Sequence, residues 1–290
     1  MIYLILTILL STAVFVVMRL FGRFNLDNHQ ALTWNYATSA CIGFAMSAAS
    51  GTLVSPTTQP WFVYALLTGF SFILTYALIA ESSQRSGVTV TSLSSKLSVV
   101  IPVLYGICIG QRPDWMAYIG ITLAIVALIL VVGGKDKGEA KAEKTILILL
   151  LPVFIFLSTG IGDVLISITE NANTGNKIPM IAFIYFVSFL FGVILVAYDL
   201  ISGKSKWQWK SAIGGLVLGT INFFSTVCIY RALGELGELS TVVFFPVYNI
   251  GVVCLSALSG WLLFKEKLGW KKVIGLAIAI IAVILITVKP

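Results

Sequence analysis

Apolar positions along this chain fall into long runs broken by short polar stretches, not into the strict alternation of a half-buried strand. A helix rises about 1.5 Å per residue, so about 20 mostly apolar residues cross the hydrocarbon core of a bilayer. Ten stretches meet that requirement: 2–20, 31–50, 60–81, 87–109, 114–134, 145–168, 178–201, 211–231, 239–264 and 270–288. The pattern predicts an all-α membrane protein of ten transmembrane helices, in which 60–81 and 87–109 are the least sharply separated. The most polar break, Gly133 to Lys144, leaves five helices on each side. The expected organisation is therefore a first five-helix repeat at 1–134, a charged cytoplasmic linker at 135–144, and a second five-helix repeat at 145–290.

Composition agrees with this pattern. Of 290 residues, 58% are hydrophobic and 11% charged, against roughly 45–50% apolar and 25% charged in a soluble domain. No basic residue precedes the first apolar run and no small-x-small site interrupts it before Arg19, which predicts a first spanning helix in place of a cleaved signal. The net charge of +7 is scattered through short loops and so describes topology, not a nucleic-acid surface. Fourteen lysines and arginines lie in the loops after helices 1, 3, 5, 7 and 9, and four (Arg112, Lys177, Arg231 and Lys289) lie on the opposite side. By the positive-inside rule both termini face outward. Cys41, Cys108, Cys228 and Cys254 sit in apolar runs with no metal-binding spacing, so no metal site or cofactor is expected.

The halves resemble each other. Residues 76–132 slide against 231–287 without a gap, an offset of 155, matching Trp115 with Trp270, Gly120 with Gly275 and Ala127 with Ala282. Ser11-Thr12 and Ser158-Thr159 match at an offset of 147. Five helices per half makes the second copy cross in the opposite sense, so the expected fold is two inverted five-helix repeats.

"YAL" (Tyr76 to Leu78), "YRAL" (Tyr230 to Leu233) and "FKEKLGWKKVIGLAIAIIAVILI" (Phe264 to Ile286) carry a resemblance. The first repeat echoes the last of these as "GQRPDWMAYIGITLAIVALIL" (Gly110 to Leu130), with Gln111 in place of Glu266. On these segments the chain resembles the EamA-like permeases of the drug/metabolite transporter superfamily. The resemblance implies a bacterial inner-membrane location and a secondary transporter of small metabolites such as amino acids. Nucleotide-sugar or sugar-phosphate exchange within the same superfamily is the alternative.

Charges inside predicted spans mark candidate chemistry, because such groups are costly at membrane depth. Lys96 lies near the centre of 87–109, with Thr89 and Ser92 on its helical stripe. A lysine there binds a carboxylate or phosphate, exchanges a proton, or is satisfied by neighbouring hydroxyls, carbonyls or a carboxylate. Asp163 falls about 13 Å in height from Lys96 when each position is measured from the middle of its apolar run. On that measure Arg231 is the better-placed partner, and Asp163 with Arg231 forms a candidate gating or coupling pair. Pro102 and Pro246 are expected to kink their helices and expose carbonyls. Tyr248 and Asn249 follow Pro246, and with Asn35 and Asn222 they complete the candidate substrate-binding set.

The expected function is secondary transport by alternating access, with Lys96 favouring a cargo with an anionic group and the lipid bilayer and a small metabolite as partners. Proton coupling, facilitated diffusion and exchange remain open. No Walker A motif supports ATP-driven transport. An embedded enzyme would need paired carboxylates or a nucleophile with its base, and a scaffold or receptor would need larger loops.

Overall fold

The computed structural model describes residues 2–85, 95–132, 146–237, 240–264 and 270–287. Ser92, Thr89, Glu266 and the linker 135–144 lie outside them. Among the described residues the chain is helical, with no strand. The helices are α1 (Ile2–Arg23), α2 (Asn28–Ala49), α3 (Phe62–Arg85), α4 (Val100–Cys108), α5 (Trp115–Val132), α6 (Ile146–Asn171), α7 (Lys177–Ile201), α8 (Trp209–Leu236), α9 (Ser240–Phe264) and α10 (Trp270–Thr287), with a short 3-10 turn at Pro56–Thr58. Among the described residues five helical stretches are long and apolar enough to cross a membrane: Ile2–Arg23, Phe62–Ile79, Val153–Asn171, Lys177–Ile201 and Trp209–Leu236. The helix α2 is not among these, since its buried positions include Gln30, Asn35, Ser39 and Ser47.

The chain divides into two units, Met1–Leu74 with Leu165–Gly234 and Thr75–Val164 with Glu235–Pro290. Each unit draws segments from both halves of the sequence.

In the first unit α2 packs on α7. A Cβ on Gly43 would lie 2.7 Å from the Cβ of Ala182, and one on Gly192 would lie 2.8 Å from the Thr33 hydroxyl. As numbering rises along α2 it falls along α7 through these contacts, so the helices run antiparallel, and small residues let their backbones approach. Gly43 and Gly192, Ser39 and Ser188, and Tyr36 and Tyr185 are each 149 positions apart. The Tyr36 and Tyr185 rings stack on one another at 6.1 Å. Ser39 donates to the Gly219 carbonyl of α8 at 2.9 Å, and Ser188 donates to the Gly69 carbonyl of α3 at the same distance. The two helices also begin and end alike. Asp27 and Asn176 cap them by accepting from Gln30 N–H and Ile178 N–H, and Ser50 and Ser202 are followed by Gly51 and Gly203 at φ of 64° and 70°, left-handed conformations that favour glycine.

Gly215 and Gly219, a GxxxG pair on α8, press against α2: Cβ atoms there would fall 2.4 Å from the Trp34 Cβ and 2.5 Å from the Asn35 carbonyl.

In the second unit α4 packs on α9 and α5 on α10. Trp115 and Trp270, matched at offset 155, are the first residues of α5 and α10 and are both largely exposed. Gly120, Ala124 and Ala127 form a buried stripe on α5, and Gly275 and Ala282 are buried on α10. Every packed pair named here, α2 with α7, α4 with α9 and α5 with α10, joins a helix to the one five places later.

Candidate functional site

Lys96 sits where its helix breaks. Ser95 to Leu97 are helical, Ser98 and Val99 form a turn, and α4 resumes at Val100. The cause is Pro102, which has no N–H to give to the Ser98 carbonyl. That carbonyl accepts instead from Ile101 N–H at 2.9 Å, tightening the turn, while the Ser98 hydroxyl donates to the Ser95 carbonyl at 2.6 Å.

On α9 a second proline, Pro246, stands inside the helix. Three residues on, Asn249 donates its Nδ2 to the Phe245 carbonyl at 3.0 Å, which orients the amide and presents its Oδ1. Lys96 Nζ donates to that Oδ1 at 3.4 Å. Tyr248 beside it stacks on Phe244 at 5.4 Å with ring planes 10° apart.

Asp163 belongs to the same group. The Lys96 and Asp163 charges act on each other, which departs from the separation expected from apolar-run midpoints. Two features explain the difference. The helix bearing Lys96 is interrupted, and α6 continues to Asn171, so that within the apolar stretch Val153–Asn171 Asp163 lies close to the middle and not toward one end. Gly160, one turn earlier, lets α6 approach α4, since a Cβ there would meet Ile101 at 2.4 Å. Both residues are partly buried taken as a whole.

Arg231, expected to pair with Asp163, is exposed and engages Tyr3, donating to its hydroxyl at 2.7 Å with the guanidinium 5.2 Å from the ring centre. Gln111 is buried at the start of α9, where its Oε1 accepts from Val242 N–H at 3.1 Å. Helix starts leave such amides unpaired, and a neutral amide meets the need without adding charge. Gly106 makes room, because a Cβ there would lie 2.6 Å from the Gln111 Oε1.

Asn35 and Asn222 meet in the first unit, where Asn222 Nδ2 donates to Asn35 Oδ1 at 3.1 Å. Asn35 is fully buried, and its Nδ2 has no hydrogen-bond partner among the described residues. Tyr185, a residue that the apolar runs do not single out, donates to the Asn222 carbonyl at 3.2 Å and pairs with the Thr226 hydroxyl. Its signal in the sequence was the shared spacing of Tyr36 with Tyr185 and Ser39 with Ser188. No cluster of three or more metal-ligating side chains occurs among the described residues.

The model of the EamA-like transporter family matches residues 1–133. An uncharacterised protein of Haemophilus influenzae is 26% identical over 283 residues, covering 93% of each chain. The glucose uptake protein GlcU of Bacillus subtilis is 24% identical over 236 residues, 77% of this chain and 76% of that one. A protein crystal structure superposes with a TM-score of 0.77 at 14% identity, over 99% of this chain and 95% of that one, a likeness of fold alone. The first 133 residues are similar to the EamA-like transporter family, and the apolar helices make the chain a multi-pass membrane protein.

Proposed function

We propose that this protein is a secondary transporter that carries a small polar metabolite by alternating access between two inverted five-helix repeats, 1–134 and 145–290, spanning a bacterial inner membrane ten times. Antiparallel packing of α2 on α7, and pairing of helices five places apart, support the inverted repeat. The observation that carries the transport reading is the Lys96, Asp163 and Asn249 group, two charges and an oriented amide in an apolar setting beside two proline-bearing helices. Groups of that kind within membrane spans serve transport pathways and relays by default.

The cargo reading changes with the partners of Lys96. A lone lysine favours an anion, whereas a lysine opposed by Asp163 offers no net charge and suits a net-neutral solute. The likeness to a glucose uptake protein makes a hexose the first candidate. The unpaired Asn35 Nδ2 supports a role in donating to a solute oxygen. A second reading, an amino acid, is favoured by the same charge pair, with carboxylate toward Lys96 and ammonium toward Asp163. A dianionic sugar phosphate fits this balance less well. The match of residues 1–133 to a transporter family supports transport over catalysis.

Binding is testable without knowing the direction of transport. Thermal unfolding of wild type and Lys96→Ala is measured with D-glucose, L-alanine and glucose 6-phosphate, since a ligand at 100 times its Kd stabilises by about 2.7 kcal/mol. The expected result is stabilisation by glucose or alanine that Lys96→Ala loses. Equal stabilisation of both proteins removes Lys96 from the site, and stabilisation by glucose 6-phosphate alone restores the anionic cargo.

A further inference from the structure

We propose that one end of the first unit, where α2 starts, α7 ends and α8 starts, is a docking site for the headgroup of an anionic phospholipid. The segment that carries it is "GKSKWQWK", Gly203 to Lys210, with three lysines and two tryptophans in eight residues.

A buried side chain fixes this segment. Gln30 on α2, only 2% exposed, donates its Nε2 to the Lys206 carbonyl at 2.8 Å and to the Ser205 hydroxyl at 3.3 Å, and its Oε1 accepts from Gln208 N–H at 2.9 Å. One amide thus holds the residues on both sides of Trp207. Gln208 Oε1 in turn accepts from Asp27 N–H at 3.2 Å. One turn along α2 from Gln30, Trp34 meets the Trp207 ring edge-on at 6.4 Å, and Trp207 meets Trp209 at 5.5 Å. The outer rings stay open all the same: Trp207 is 47% exposed, Trp209 70%, and Ile201, just before the segment, 88%. Large apolar side chains held in place yet exposed mark a surface with a partner.

Position and charge identify that partner. Both helices joined by the segment are long and apolar enough to cross a membrane, so the segment lies at the boundary of hydrocarbon and water, where tryptophan rings are favoured. Lys204, Lys206 and Lys210 are exposed there. Lys204 Nζ lies 4.8 Å from the centre of the Tyr198 ring, which holds that ammonium beside the apolar end of α7. Among the described residues the acidic side chains at this end are Asp27 and Asp199, and both are engaged: Asp27 accepts from Gln30 N–H, and Asp199 pairs with His29. A phosphodiester neutralises the surplus of ammonium groups while the exposed rings take the glycerol and the first carbons of the chains. A zwitterionic lipid brings a cation of its own to the same surface and is held less well.

Native mass spectrometry of the protein released from detergent micelles tests this. Titration with phosphatidylglycerol or phosphatidylcholine of the same acyl chains gives the affinity of the first lipid bound. The expected result is a roughly thirtyfold preference for phosphatidylglycerol that disappears in Lys206→Gln/Lys210→Gln, the factor for two lysines beside an anionic headgroup. The preference is expected to survive in Lys206→Arg/Lys210→Arg, which keeps the charge, and in Arg112→Gln/Lys289→Gln, which removes two charges elsewhere. Trp207→Ala, at unchanged net charge, is expected to weaken both lipids. Equal affinity of wild type for the two lipids overturns the proposal and assigns the exposed rings to a protein partner. A preference lost equally in Arg112→Gln/Lys289→Gln overturns it in favour of diffuse attraction by net charge, and displacement of phosphatidylglycerol by inorganic phosphate overturns it in favour of a free anion.

Discussion

Lys96 and Asp163 are each costly inside an apolar helix, and each lowers the cost of the other. Removing one leaves an uncompensated charge, and removing both leaves none. Lys96→Met and Asp163→Asn are therefore expected to destabilise by about 1–3 kcal/mol each, with the double variant closer to wild type than either single one. Thermal unfolding of the four proteins in one detergent measures this, and strictly additive losses would show that the two charges do not interact. The presence of both charges inside spans was legible from the apolar runs. Their proximity was not, because depth was counted from the ends of those runs, while the break before Val100 and the extension of α6 to Asn171 move the midpoints. Gln111 shows a similar limit: its difference from Glu266 was visible, but its service to an amide of α9, 131 positions away, is a tertiary fact.

At the scale of the element, glycines set how closely helices approach. Gly43 and Gly219 have no room for a side chain, since a Cβ would meet Ala182 at 2.7 Å and the Asn35 carbonyl at 2.5 Å. Gly22, near the end of α1, has nothing within 4 Å. Gly43→Val and Gly219→Val are expected to lose about 1–3 kcal/mol or more by overpacking, while Gly22→Ala is neutral or gains up to about 1 kcal/mol from helix propensity. Melting curves that do not separate Gly22→Ala from the other two would contradict the packing. The helices were largely legible, with α2 beginning three residues before the expected 31 and α6 ending three after the expected 168. Hydropathy alone reads α2 poorly because its polar side chains are satisfied by neighbours: Ser39 by the Gly219 carbonyl, Gln30 by the Lys206 carbonyl at 2.8 Å.

For the whole molecule, the offsets of 147, 149 and 155 increase along the chain, as small insertions between two copies of one unit would produce. On the proposed ten-span reading, the excess of basic residues in alternate loops predicts that both termini face outward. A protease-cleavable tag at either terminus should be removed from intact spheroplasts, and protection of either tag would reverse the assignment at that end. Cargo was the least legible feature, because the likeness at Phe264 to Ile286 lies in short apolar segments that specify helix packing and not ligand chemistry.

Transport itself is tested most directly by counterflow. Liposomes containing the purified protein and preloaded with unlabelled D-glucose or L-alanine are given a trace of the labelled solute, alongside liposomes containing Lys96→Met and liposomes without protein. The account predicts saturable, transient accumulation of one of these solutes with wild type, and accumulation at least about tenfold slower with Lys96→Met, the change that a loss of about 1.4 kcal/mol in transition-state stabilisation produces. Accumulation no greater than in protein-free liposomes for both solutes, with protein shown to be folded and inserted, would contradict it.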